Sequence, residues 1–154
     1  MNTTIKAIAL AAVIALVAVT LVSEDSSAVE FTSGGFQYET VGSSTTNVTV
    51  VGWEGDSSEI TIPETVSYNN RTYTIVSISV EAFKDKTNLT IVDMSKASHI
   101  ESIGANAFSG SGVTTVTLPS SLETIGAGAF AGSKLSTINL PDTLVTIGAN
   151  AFEG

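Results

Sequence analysis

The chain has 154 residues, with 15 acidic side chains against 6 basic ones and a formal net charge of −9. This acidic balance argues against nucleic acid as a partner, because like charges repel the phosphate backbone. There is no cysteine, which excludes disulfides and thiolate metal sites, and the length suits a single domain that is stabilised by packing.

The predicted first element is a secretory signal at residues 1–28. Lys6 precedes sixteen uncharged, mostly apolar residues from Ala7 to Val22, and Ser26 and Ala28 are the small residues expected before a cleavage site. An uncleaved anchor is the alternative, since a spanning helix needs about 17 to 25 residues. Cleavage after residue 28 would remove one basic and two acidic side chains and leave a net charge of −8 on 126 residues. The sequence therefore predicts a secreted or cell-surface protein.

Residues 31–59 are predicted to form an N-terminal β cap. Two runs of alternating apolar and polar residues, 36–41 and 48–53, flank a turn rich in Gly, Ser, Thr and Asn. A hairpin of these runs could place Tyr38 and Trp53 over the open apolar end of a following repeat.

Residues 60–154 contain four frames of one repeat, each ending in phenylalanine. Their sequences are ISVEAF at 78–83, IGANAF at 103–108, IGAGAF at 125–130 and IGANAF at 147–152, with spacings of 25, 22 and 22 residues. A fixed period in this range is typical of a solenoid, in which each coil buries its apolar side against its neighbours. Packing between coils explains the recurrence of Ile78, Phe83, Ile103, Gly104, Phe108, Ile125, Gly126, Phe130, Ile147, Gly148 and Phe152.

Within each coil the apolar positions predict a short strand and a return to the core. The strand ends at a proline, whose ring nitrogen cannot donate to a sheet, and the glycine after each isoleucine permits a tight bend or a close approach between coils. The inward side chains are expected at Val116, Leu118, Leu122 and Ile125 in one coil and at Ile138, Leu140, Leu144 and Ile147 in the next.

Two coils depart from this unit. The second has Ser95 in place of the proline and two extra residues before Ile100, which predicts a bulge at 95–99. The first contains an insertion that predicts a hairpin with its turn at Asn69 and Asn70, since Asn tolerates positive φ.

No closing cap follows the last coil in this sequence. Ile138, Leu144 and Phe152 are therefore expected to lack a neighbour, which fits either a piece of a longer array or an end that associates. Self-association or fraying of this coil is the expected outcome.

Residues 60–83 and 118–152, ITIPETVSYNNRTYTIVSISVEAF and LPSSLETIGAGAFAGSKLSTINLPDTLVTIGANAF, resemble the BspA-like leucine-rich repeats, and the resemblance extends from Phe31 to Gly154. The fold that it implies is a mainly β solenoid, a leucine-rich-repeat-like right-handed superhelix of about 22-residue coils with an N-terminal β-hairpin cap. Family members occur in surface and secreted proteins, and some adhere to host proteins or other cells. The resemblance implies no catalytic residue.

The residues of the chain itself agree with that implication. His99 is the only histidine, and no G-x-S-x-G accompanies it. The acidic stretch 54–59 lacks the ordered alternation of a calcium loop, and Glu101 and Glu123 are expected to be solvated neighbours in successive coils and not a glycosidase pair. No enzyme activity, cofactor or metal is predicted.

A polar face of the coils is the predicted binding surface. Its expected role is recognition of host or neighbouring-cell proteins or glycans through many modest hydrogen bonds. Strand propensity and solubility explain the threonines of this face equally well. A structural spacer or assembly module of a cell envelope is the alternative function, and membrane contact is expected only through the N-terminal segment. The candidate ligand-binding residues are Thr90, Asp93, Thr115, Thr117, Thr137 and Asn139, and the N-x-T glycosylation candidates are Asn47, Asn70 and Asn88.

Overall fold

The computed structural model describes residues 28–42, 44 and 46–154. The predicted signal or anchor segment lies outside these residues, apart from Ala28. No helix of the described residues is apolar and long enough to cross a membrane. The strands are β1 (Glu30–Ser33), β2 (Phe36–Thr40), β3 (Asn47–Trp53), β4 (Glu59–Thr61), β5 (Thr65–Tyr68), β6 (Arg71–Ile78), β7 (Ile91–Asp93), β8 (Ser102–Ile103), β9 (Thr115–Thr117), β10 (Thr124–Ile125) and β11 (Thr146–Ile147).

Two sheets enclose the core of the molecule. The long sheet has the order β1-β2-β3-β6-β8-β10-β11, with β5 paired to β6, and the short sheet has the order β4-β7-β9. Pairing is antiparallel between β1, β2 and β3 and parallel from β3 onward along the coils. The predicted β solenoid is confirmed, with about four coils.

The cap covers the first coil with aromatic side chains. The predicted hairpin is present as β2 and β3, and β1, which the sequence did not predict, adds a third strand. The ring of Phe36 packs against Trp53 at a centroid distance of 4.6 Å and meets Phe83 edge-on at 6.4 Å. Phe83 is fully buried as a result.

The hairpin predicted in the first coil is also confirmed. Strands β5 and β6 are antiparallel, and Asn69 and Asn70 between them have φ angles of 48° and 60°. Two successive positive φ angles are typical of the tight turn whose twist matches that of the flanking strands.

A column of phenylalanine rings runs through the coils. Centroids of Phe83, Phe108, Phe130 and Phe152 are separated by 4.8, 5.1 and 5.5 Å, with interplanar angles of 3°, 2° and 3°. The two-residue strands β8, β10 and β11 lie just before the phenylalanine turns and hold successive coils in one register.

The glycine after each isoleucine allows the coils to approach closely. A Cβ atom on Gly126 would lie 2.5 Å from the backbone nitrogen of Ala105, and one on Gly148 would lie 2.3 Å from that of Ala127. The residue two positions after this glycine has a positive φ angle in each of these coils, as seen at Asn106, Gly128 and Asn150.

The fourth coil differs from the two before it. Its predicted strand around Ile138 and Leu140 is absent, because no backbone hydrogen bonds join residues 137–139 to β9. Leu140 and Ile147 were expected to point into the core, yet they are 45% and 46% exposed. This expectation was wrong because no described residue stacks on that side of the coil.

Candidate functional site

The outward face of the short sheet carries two rows of side chains. Register places Thr61, Asp93 and Thr117 side by side in one row, and Glu59, Ile91 and Thr115 in the other. The residues between the rows, Ile60, Val92 and Val116, are buried against the core. Neighbouring strands are about 4.8 Å apart, so a partner lying along this face would meet polar groups at regular intervals.

The structure brings together three of the six candidate binding residues, Asp93, Thr115 and Thr117. Thr90 lies before β7, where its carbonyl oxygen accepts from the backbone N–H of Thr114 at 2.9 Å and its hydroxyl donates to the carbonyl of Ser58 at 2.9 Å. Thr137 and Asn139 are exposed but belong to no strand.

Glu59 and Thr61, the outward residues of the first strand of this face, were not among the candidate binding residues. Glu59 and Thr61 in β4 precede Ile62 and Pro63 in the same frame as Thr115 and Thr117 precede Leu118 and Pro119. The isoleucine–proline pair in the first coil was therefore the signal that could have revealed them.

Asp93 is the charged group in the row of Thr61 and Thr117. The backbone N–H of Ser95 donates to its Oδ1 at 2.8 Å, and hydrogen bonds from Ser95 lower the pKa of this carboxyl, with Lys96 adding a weaker effect. A proline at position 95 would have no N–H to donate. The row can therefore offer an ionised acceptor between two hydroxyl groups.

A second hydroxyl row runs along the outward face of the long sheet. Register aligns Thr49, Ser77, Ser102, Thr124 and Thr146, and the Thr49 hydroxyl also bonds to the carbonyl of Ser77 at 3.0 Å. The side chains from Thr49 to Thr124 are half-buried and Thr146 is exposed. The hydroxyl residue before the isoleucine of each repeat was the sequence signal for this row.

His99 forms a surface cluster with Ser98 and Glu64. The Ser98 hydroxyl donates to Glu64 Oε1 at 2.7 Å, and His99 Nδ1 lies 3.3 Å from that hydroxyl and 3.2 Å from Oε1. In a catalytic triad, the nucleophile and the carboxylate contact opposite nitrogens of the imidazole. Both contacts are made to Nδ1 here, so the cluster does not have the geometry of a triad.

Glu101 and Glu123 occupy equivalent positions in successive coils. Glu123 donates its backbone N–H to the carbonyl of Glu101 at 2.9 Å, so the two exposed residues lie in one row and do not face each other across a cleft. Within residues 28–42, 44 and 46–154, no group of three or more His, Cys, Asp or Glu side chains could hold a metal ion.

The three sequons occupy different environments. Asn70 and Asn88 are exposed in turns, whereas Asn47 is half-buried at the beginning of β3. Asn70 and Asn88 therefore have more room for a bulky modification than Asn47.

Comparisons with known proteins agree with this architecture. The family model described as BspA type leucine-rich repeat region matches residues 76–154 in six copies. A leucine-rich repeat protein from Bacteroides capillosus is 25% identical with a TM-score of 0.69, over 77% of this chain and 86% of that chain. One from Bacteroides ovatus is 30% identical with a TM-score of 0.72, over 80% of this chain but only 33% of that chain.

A third solved structure shares the fold alone. The pneumococcal vaccine antigen PcpA is 24% identical with a TM-score of 0.63, over 82% of this chain and 35% of that chain. No curated protein is significantly similar to the sequence.

Proposed function

Because the chain belongs to the BspA-type leucine-rich repeat family, whose model matches residues 76–154, we propose that it is a non-catalytic binding module of the cell surface or the secreted fraction. Its ligands are proteins or glycans of host or neighbouring cells. The observation that carries this proposal is the outward face of the short sheet, where Asp93 lies between Thr61 and Thr117 in strand register.

The chemistry of this face suits a ligand rich in N–H and O–H donors. A carboxylate accepts hydrogen bonds strongly, and the flanking hydroxyls can donate or accept. Each neutral hydrogen bond contributes about 0.5 to 1.5 kcal/mol net, so a single face binds weakly. Useful attachment then depends on many copies displayed together.

The binding test compares variants on multivalent beads. We expect the double variant Asp93→Asn, Thr117→Val to reduce attachment to immobilised host-surface proteins and arrayed glycans at least tenfold, while the melting temperature stays within a few degrees. The matched control is Glu101→Gln, which removes one exposed carboxylate from a different face. Full attachment by the double variant would contradict the proposal and favour the spacer role.

Export is proposed together with a division of the chain into three parts. Residues 1–28 form a cleaved signal, 31–59 the cap and 60–154 the coils. We expect the mature protein to begin at Val29, as N-terminal sequencing of the secreted fraction can show. Mass spectrometry of the same sample would detect glycans at Asn70 or Asn88. Recovery of the full-length chain from the cytosolic fraction would contradict export.

A further inference from the structure

The hairpin of the first coil has a surface cavity at its turn. The volume of this cavity is about 510 Å³, and small-ligand sites have volumes of about 300 to 1,000 Å³. Its lining residues come from the end of β5, the turn and the beginning of β6, and they are Ser67, Tyr68, Asn69, Asn70, Arg71 and Thr72. None of them is an aliphatic residue, so the cavity suits a polar ligand.

Strand register places Arg71 beside a packed aromatic cluster. Residues directly opposite each other in an antiparallel pair share one face, and the register pairs Tyr68 with Arg71. The ring of Tyr68 is buried and stacks on Phe31 at a centroid distance of 4.4 Å and an interplanar angle of 5°. Arg71 is exposed at the outer end of the same face. Its side chain therefore begins from a rigid support.

The turn itself has a fixed backbone. Asn69 and Asn70 are the two residues between the strands, and both have positive φ angles. A two-residue turn of this kind is the tightest common hairpin connection. The cavity is therefore formed before a ligand arrives, which lowers the entropy that binding would cost.

Arg71 supplies a cation that the protein does not use elsewhere. It is the single charged residue between Glu64 and Glu81, and no carboxylate of the described residues forms an ion pair with it. A guanidinium group presents its N–H donors in a planar fork that matches the two oxygens of a carboxylate. A phosphate dianion would fit the fork too, but the net negative charge of the protein repels it more strongly than a carboxylate.

The other polar groups of the cavity are also available to a ligand. Elsewhere in the coils hydroxyl groups are used internally, as where the Ser121 hydroxyl donates to the carbonyl of Ile100 at 2.7 Å. Among the described residues, no side-chain hydrogen bond is made by Ser67, Asn69, Asn70 or Thr72.

Tyr68 adds an unusual polar atom to this wall of the cavity. Its hydroxyl is buried and has no hydrogen-bond partner among the described residues, and buried polar atoms without partners are rare in folded proteins. Amides and hydroxyls both donate and accept hydrogen bonds. A ligand with several neighbouring hydroxyl groups matches this mixture, whereas a peptide would bring apolar side chains for which the lining has no counterpart.

We propose that the cavity binds a hexuronic acid residue of an acidic glycan. Arg71 holds the sugar carboxylate through two parallel N–H donors, and the amides and hydroxyls of the lining hold the ring hydroxyls. This site lies on the hairpin of the long sheet and does not depend on the binding proposed for the short sheet.

The test is an NMR titration of the exported chain, residues 29–154, which contains every strand described. The protein is produced without glycosylation, because a glycan on Asn70 would occupy the cavity. The probes are glucuronate, glucose and acetate, of which glucuronate alone has both the sugar ring and the carboxylate. We expect glucuronate to cause saturable shifts confined to residues 67–72, with a Kd of about 1 to 10 mM for so small a ligand. Glucose and acetate should bind at least tenfold more weakly.

Two variants of the cavity should weaken glucuronate binding. Arg71→Gln removes the cation from an exposed position and should raise the Kd at least tenfold. Asn69→Asp leaves Arg71 in place, keeps a residue type that tolerates positive φ and adds a like charge, so it should raise the Kd at least fivefold. The matched control is Lys134→Gln, which removes an exposed cation from the fourth coil and should leave the Kd unchanged.

The short-sheet double variant Asp93→Asn, Thr117→Val should bind glucuronate as the parent chain does, which keeps the two binding proposals separate. Absence of saturable shifts at residues 67–72 would overturn the inference, as would equal affinity for acetate or an unchanged Kd in both cavity variants. Tighter binding of inorganic phosphate, or of a tripeptide with a free carboxyl terminus, would show that the cavity takes another class of ligand and would also overturn it.

Discussion

The second and fourth coils differ in burial although their repeats are nearly identical. IGANAF occurs at 103–108 and again at 147–152, yet Ile103 is 1% exposed and Ile147 is 46% exposed. Six identical residues therefore have two environments. In a solenoid the neighbouring coils decide what is buried, and a coil's own sequence supplies only the surface that can be buried.

Strand pairing with the preceding coil also differs between the third and the fourth coil. The third coil pairs with the second in both sheets, through β9 with β7 and β10 with β8. The fourth coil keeps the pairing of β11 with β10 but has no counterpart of β9. Stability should therefore be graded along the molecule and lowest in the fourth coil, as expected when each repeat contacts only its neighbours.

The largest expected effect compares phenylalanines at two positions in the column. Phe108 is fully buried between two rings, whereas Phe152 stacks on one ring and is 38% exposed. We expect Phe108→Ala to lower the free energy of unfolding by about 3 to 5 kcal/mol and Phe152→Ala by about 1 to 2 kcal/mol. Urea denaturation measures both. Equal losses would show that the end of the column is as well packed as its centre.

A smaller effect is expected from glycines at the close approaches. Gly126→Ala places a methyl group within 2.5 Å of a backbone nitrogen of the second coil, and the third coil cannot shift without disturbing the fourth. We expect a loss of about 1 to 3 kcal/mol in the free energy of unfolding. Gly148→Ala makes the same clash, but the fourth coil is free to move away, so its loss should be smaller.

The control for the glycine variants is Ala127→Ser, an exposed position one residue beyond Gly126. It should change the free energy of unfolding by less than about 0.5 kcal/mol. If Gly148→Ala costs more than Gly126→Ala, the fourth coil is held as firmly as the third and the proposed gradient is wrong.

Hydrogen exchange should show the gradient in the unmodified protein. The amides of Phe108 and Phe130 donate to the following coil at 2.7 Å, so we expect strong protection. Residues 135–140 and the amide of Phe152 have no such acceptor and should exchange at least about 100-fold faster. Measurement by mass spectrometry at low micromolar concentration keeps association from protecting the last coil. Full protection of residues 135–152 under these conditions would contradict fraying.

The sequence predicted those features of the fold that repeat or carry a distinctive turn. The regular spacing of the phenylalanines predicted the solenoid. Asn69 and Asn70 predicted the hairpin turn, because few residues accept a positive φ angle. Strands β8, β10 and β11 have two residues each, too few to show alternation. The strand expected near Ile138 failed to form although its residues match those of β9, since pairing depends on the neighbouring strand as well as on local sequence.

The candidate site was predicted only in part for a related reason. Side chains on one face of a strand are two residues apart, whereas Thr90 and Asp93 are three apart and cannot both point outward from β7. The structure pairs Ile91, not Thr90, with Thr115. Glu59 and Thr61 were missed because the candidate residues came from the second, third and fourth coils alone.

The smallest expected effect concerns Asp93, where the second coil departs from its neighbours by having Ser95 in place of proline. Hydrogen bonds from Ser95 lower the pKa of the Asp93 carboxyl below the ordinary value of about 3.9. Because the pKa is depressed in the folded state, this contact stabilises the fold fully above about pH 4 and is lost as the pH falls through the folded pKa. Asp93 is well solvated, so the contribution should stay below about 0.5 kcal/mol.

Replacement of Ser95 by proline isolates this contact, since it removes the N–H donor and restores the residue of the other coils. NMR titration of the Asp93 carboxyl carbon should show its pKa rising toward the ordinary value. The stability difference between Ser95→Pro and the parent chain should change between about pH 5 and pH 2, and in an Asp93→Asn background that change should vanish. If the pKa of Asp93 is the same with Ser95 and with proline, the backbone donor is not what holds the carboxylate in its charged form.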